Sequence, residues 1–164
     1  GTQMVSWAQA FGGPLRPDEI EDLTQFILNY ETEELCSTPI VTYDWPATYA
    51  DFKVEFPEGD PVRGEELYLS YGCTGCHGNL EDPASAAVGP WQGNIAEVGA
   101  TRIEGYTADE YVYESILYPN AYIVPECPTG PCAGPPSAMP DNFPLRMAEN
   151  PQDMRDVMVY LLGE

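Results

Sequence analysis

The sequence predicts an all-α protein. Four segments place apolar residues at helical spacing between recognisable start and stop residues, and many of the 17 prolines and 15 glycines fall between those segments. No set of alternating stretches is able to build a large sheet. At 164 residues the chain is long enough for one domain with its own core plus a smaller unit.

The first pattern, RPDEIEDLTQFILNYE (16–31), sets Ile20, Leu23, Ile27 and Tyr30 at helical spacing. Pro17 and several acids occupy its first turn, where the positive end of the helix dipole favours them. The second, DPVRGEELYLSYG (60–72), opens on Asp60 as N-cap with Pro61 at the first helical position and closes at Gly72. The third, TADEYVYESILYP (107–119), starts with a capping box of Thr107 and Glu110 and has to stop before Pro119. The fourth, NPQDMRDVMVYLLG (150–163), follows an Asn-Pro start with a stripe of Met154, Val157, Met158 and Leu161 and ends at Gly163. The stretches 36–61, 78–106 and 126–144 read as connecting segments, with IVTYDW (40–45) suited to a short strand.

Laid over one another, PDEIEDLTQFILN (17–29) and PQDMRDVMVYLLG (151–163) match Pro17 with Pro151, Asp22 with Asp156 and Leu28 with Leu162. Met4 precedes the first of these helices by 13 residues and Met139 precedes the second by 12. Helical periodicity alone makes such likeness easy, but the paired methionines favour a duplicated unit.

Six basic against 27 acidic side chains give a net charge of −21. That balance repels nucleic acid and anionic membrane surfaces, excludes nucleic acid as a partner and steers the protein toward basic ones. No stretch approaches the roughly 20 apolar residues that span a bilayer.

Chemistry concentrates in YGCTGCHGN (71–79), which holds Cys73, Cys76 and His77, the last being the only histidine. A zinc ribbon would pair CTGC with CPTGPC (127–132), yet 50 residues intervene where such ribbons have about 15 to 20. A thioredoxin-like site would put its cysteines at the start of a helix in a βαβ setting, whereas here the pair follows a helix ending at Gly72. Neither alternative uses the histidine. Haem attachment uses all three residues: each cysteine can form a thioether with one vinyl group of a porphyrin, and the adjacent imidazole can reach the iron.

With one histidine, a second axial ligand has to be another donor or the position stays open. Met4, Met139, Met147, Met154 and Met158 compete. Met154 and Met158 belong to an apolar stripe and read as core. Met139 lies in PPSAMPDNFP, 62 residues after His77, where prolines lower the entropy lost in holding a thioether still. Met139 is the expected ligand.

From about residue 58 to 164 the chain resembles class I c-type cytochromes. The likeness rests on RGEELYLSYGCTGCHG, then VGPW with Gly89 and Pro90, then YTADEYVYESILYPNAYIVP, then AMP, and last MRDVMVYLLGE, in the family's order. The resemblance implies a cytochrome c fold around one covalently bound haem c, its first and last helices crossing near Gly64 and Tyr160. It implies that Pro90 turns its carbonyl toward the imidazole, that His77 and Met139 are the iron's two axial ligands, and that the function is one-electron transfer. Trp91, Tyr106, Tyr122, Ile123 and Phe143 are expected to line the haem pocket.

Two departures stand out. The loop before Met139 carries Cys127 and Cys132, close enough in sequence to bridge, with two free thiols as the alternative. Cys36 is left over, either a buried thiol or a partner for another chain. Residues 1–35 resemble the end of a second cytochrome domain without an attachment motif of their own, so 1–35 is expected as a helical extension, 36–57 as a linker and 58–164 as the cytochrome domain. The run from Thr107 to Glu126 followed by MPDNF resembles cytochrome subunits of bacterial respiratory complexes such as alternative complex III or oxidases with fused cytochrome domains.

That likeness implies an electron carrier on the periplasmic face of the cytoplasmic membrane, held by partner subunits or an N-terminal anchor. Its redox partner would be basic-surfaced: a small copper protein, a cytochrome or a terminal oxidase. A haem enzyme or gas sensor with a labile sixth ligand is the alternative.

Overall fold

In the computed structural model, residues 15–29, 40–132 and 134–163 are described. The chain divides into two compact units, 1–40 and 41–164. In the first, α1 spans Pro17–Asn29, with Asp18 and Glu19 in its first turn and the Arg16 amide bonded to Glu19 Oε2 at 2.9 Å. Met4 and Cys36 lie outside the described residues.

The second unit is built from α2 (Tyr49–Glu55), α3 (Pro61–Ser70), α4 (Thr74–His77), α5 (Ile95–Val98), α6 (Ala108–Leu117), α7 (Phe143–Arg146) and α8 (Gln152–Leu162). The described residues add two 3-10 turns and one hairpin, in which β1 (Glu126–Cys127) pairs antiparallel with β2 (Gly130–Pro131). The class is therefore helical. Residues 40–45, expected as a strand, have no regular structure.

The predicted caps form. Asp60 accepts hydrogen bonds from the amides of Val62 and Arg63 at the start of α3. Thr107 and Glu110 close the capping box of α6, which ends at Leu117, ahead of Pro119. Gly163 ends α8 in the left-handed region at φ 69°.

Helices α3 and α8 pack where Gly64 meets Asp156 and Tyr160. A Cβ at position 64 would sit 2.1 Å from the Asp156 carbonyl oxygen and 2.7 Å from Tyr160 Cβ, so only glycine lets the backbones approach this closely. Burying Asp156 calls for compensation, and the Arg63 guanidinium, the Asp60 amide (3.0 Å) and the Gln152 amide (2.8 Å) supply it. Met154, Val157 and Met158 on α8 are fully buried, as their spacing requires.

The linker expected over 36–57 is corrected by the structure from residue 41 onward, residues 36–39 lying outside the described residues. Residues 41–57 belong to the second unit, and Tyr49 and Phe52 of α2 have no exposed surface. Trp45 donates to the Pro144 carbonyl at 3.1 Å, and Tyr113 to the Pro46 carbonyl at 3.0 Å. Tyr43, Trp45, Tyr49, Phe52 and Phe56 are joined by close ring contacts. Five aromatic rings in so short a stretch carry too much apolar surface to remain in solvent, and that outweighs the prolines that suggested a linker.

Candidate functional site

Helix α3 ends at Ser70, the chain reverses through Gly72 at φ 82°, and one helical turn follows. Cys73, Cys76 and His77 stand at positions i, i+3 and i+4 of that turn and so share one face. All three border one cavity that is open to solvent on one side. The remaining wall comes from loop 88–92, from Tyr111, Val112 and Ile116 of α6, from 119–124, from loop 137–140, and from α7 and α8. Among the described residues, no Asp, Glu, Lys or Arg lines it. In a chain of net charge −21, that makes the cavity a low-dielectric space set apart from a strongly acidic whole.

The His77 wall is closely determined. The amides of Ala87, Val88 and Gly89 all point at the Cys76 carbonyl, at 3.1, 3.2 and 3.0 Å. This turn lays Gly89 flat against the imidazole, where a Cβ would stand 2.5 Å from Cε1. Pro90 follows, and its carbonyl oxygen lies 2.7 Å from His77 Nδ1. A carbonyl only accepts, so Nδ1 carries the hydrogen and Nε2 keeps its lone pair. Burial lowers the pKa of His77 below that of a free imidazole, against the opposing pull of the Pro90 carbonyl.

On the other side, Met139 is half-buried on the cavity wall, its amide donating to Ser137 Oγ at 3.2 Å. Ser137 is tied in turn to Asn120 Oδ1 at 2.8 Å. The disulfide between Cys127 and Cys132 forms, and both residues border the cavity. Met147 also reaches the wall, from within the core at 1% exposure. Among the described residues two thioethers therefore border the cavity, one on a loop and one embedded.

Tyr122, Ile123 and Phe143 line the cavity as expected, and Trp91 and Tyr106 do not. The Trp91 indole donates to the Asn79 carbonyl at 2.7 Å and covers Gly93, bracing the loop from outside. The Tyr106 hydroxyl donates to Glu114 at 2.9 Å. Each ring turns its polar atom to a partner away from the cavity, a choice that depends on neighbours distant from the motif. Sequence reasoning missed Gln92 and Tyr71. Tyr71 lines the cavity and donates to Asp153 Oδ2 at 2.7 Å; its one signal was its place beside the cysteine motif.

Among the described residues no three His, Cys, Asp or Glu side chains could hold a metal ion together. The disulfide also removes Cys127 and Cys132 as thiolate donors, so a zinc site lacks its further ligands. Burial pushes the Cys73 thiol up to about 11, which keeps it protonated at neutral pH, the opposite of an activated redox cysteine. Cys73 and Cys76 are both free thiols. Comparison with protein-family models, with curated proteins and with solved structures returned no match to the chain.

Proposed function

We propose that the chain holds one covalent haem c in this cavity and works as a one-electron carrier of the cytochrome c type. It would serve as a periplasm-facing subunit or domain of a bacterial membrane electron-transport complex. The observation that carries the reading is the convergence of two free thiols and a tautomer-fixed imidazole on one helical turn, opening on an uncharged cavity with a thioether on its wall. A macrocycle brings most of a metal's donors with it and needs few from the protein. That requirement suits a site too poor in ligands for a bare ion.

Cys73 and Cys76 would hold the group by thioethers, and His77 Nε2 and the Met139 thioether would be the protein's donors to its iron. When bound, the haem supplies an iron that cycles between ferrous and ferric forms. The protein's part is to keep that iron dry and saturated with ligands. Apolar residues such as Val112, Ile116 and Phe143 exclude water, and the Pro90 carbonyl orients the imidazole. The close crossing of α3 and α8 at Gly64 supports the cytochrome c fold.

A net charge of −21 favours encounter with a basic-surfaced donor or acceptor, and the disulfide suits an oxidising compartment. Electron-transfer rates with such a partner are expected to fall as salt rises. The test is expression in a host competent in cytochrome maturation. Coloured protein that keeps its haem through acid acetone extraction and shows a far-red sulfur-to-iron band when oxidised is the expected result. Colourless protein overturns the reading. Rapid carbon monoxide binding by the ferrous form would instead favour an open-site enzyme or gas sensor.

A further inference from the structure

Gln92 is the side chain on the His77 wall that the proposal above leaves without a role. Half-buried, it places Nε2 at 3.0 Å from His77 Nδ1 and 3.2 Å from the Pro90 carbonyl oxygen, the same oxygen that lies 2.7 Å from Nδ1. Because the carbonyl only accepts, both nitrogens beside it donate, and the Gln92 amide faces it nitrogen first, since its oxygen would be repelled. Two donors therefore share one acceptor while standing close enough for their hydrogens to repel each other.

We propose that Gln92 is a positioning residue that sets the donor strength of His77 by competing for the Pro90 carbonyl. The inference rests on the haem reading of the cavity. A full-strength Nδ1–H···O bond gives an imidazole anionic character and makes its other nitrogen a stronger donor, which favours ferric over ferrous iron. By taking part of the carbonyl's accepting capacity, Gln92 holds that effect back and raises the reduction potential. The Gly89 backbone, pressed on the ring, blocks the imidazole from rotating away from the competition.

The test compares wild type with Gln92→Leu and Gln92→Met, which are close to Gln in size and carry no donor. Haem is assayed first by the pyridine haemochrome spectrum, and wild-type protein without covalent haem overturns the haem reading and this inference with it. In loaded protein, both variants are expected to show a lower midpoint potential. At the wild-type midpoint, the ratio of reduced to oxidised protein should fall about threefold to tenfold, at or below the low end of the effects seen on removing groups hydrogen-bonded to ligating histidines. In the ferrous protein the His77 Nδ1 proton resonance should move downfield, as a stronger hydrogen bond requires. A midpoint and resonance that stay in place while haem is retained, a midpoint that rises, or loss of haem from both variants overturns the assignment.

Discussion

The two walls of the cavity are held by different means. On the His77 side, three consecutive amides converge on the Cys76 carbonyl, Pro90 meets the imidazole, and Tyr68 and Trp91 donate to the carbonyls of Gly78 and Asn79. Glycines at 78, 89 and 93 pass so close to neighbouring atoms that a side chain has no room. On the Met139 side the ties are the Met139 and Ser137 amides, each to one side chain, with prolines 135, 136 and 140 and the disulfide nearby. The first wall fixes atoms by directed contacts. The second mainly reduces the alternatives open to the unfolded chain. One wall should therefore fail abruptly on a single methyl group, and the other should loosen by degrees.

The largest effect is expected from Gly89→Ala, whose Cβ would lie 2.5 Å from the His77 ring. Coloured protein should fail to accumulate, while Gly75→Ala, where a Cβ meets nothing within 4 Å, should accumulate as wild type. Equal yields of the two would abolish the contrast between the walls.

Next in size is the comparison of the two thioethers. Met139→Ala should keep covalent haem, lose the far-red band and gain carbon monoxide binding. Met147→Ala should keep the band and lose about 2–5 kcal/mol of stability through a core cavity, read by denaturant unfolding. A band that survives Met139→Ala and vanishes with Met147→Ala would exchange their roles.

Smaller again is the double change Cys127→Ser with Cys132→Ser. For so short a loop the expected destabilisation is about 2 kcal/mol, with colour kept and the far-red band fading at a lower temperature than in wild type. The smallest concerns Thr129, whose Oγ1 donates to the Ala87 carbonyl at 3.3 Å and ties the hairpin to the His77 loop. Thr129→Val should shift stability by no more than about 0.5 kcal/mol in the same unfolding assay, as expected for an exposed site.

The unequal walls also explain what was legible in advance. CTGCH and GPW are contiguous, and the structure brings Cys73, Cys76, His77 and Pro90 to one place because few residues separate them. Met139 is legible from its prolines, from the core placement of Met154 and Met158 and from the resemblance, and it does border the cavity, but nothing in its segment reveals that Met147 reaches the same wall. Trp91 and Tyr106 were assigned to the pocket by neighbourhood, yet they turn to Asn79 and Glu114. Gln92 had no signal beyond lying two residues after Pro90, because its role depends on an atom-level coincidence of Nδ1, a carbonyl and an amide.

By itself the sequence determined where α3, α6 and α8 begin and end, since a cap, a proline or a left-handed glycine acts within three or four residues of its own position. It likewise determined that two thiols and an imidazole share a face, because helical geometry follows from spacing. Only the tertiary structure decided that 41–57 joins the second unit and sends Tyr49 and Phe52 into its core, which aromatic rings face the cavity and which methionines border it. Those outcomes rest on pairs such as Trp45 with Pro144, 99 residues apart, where burial depends on what the rest of the chain brings alongside.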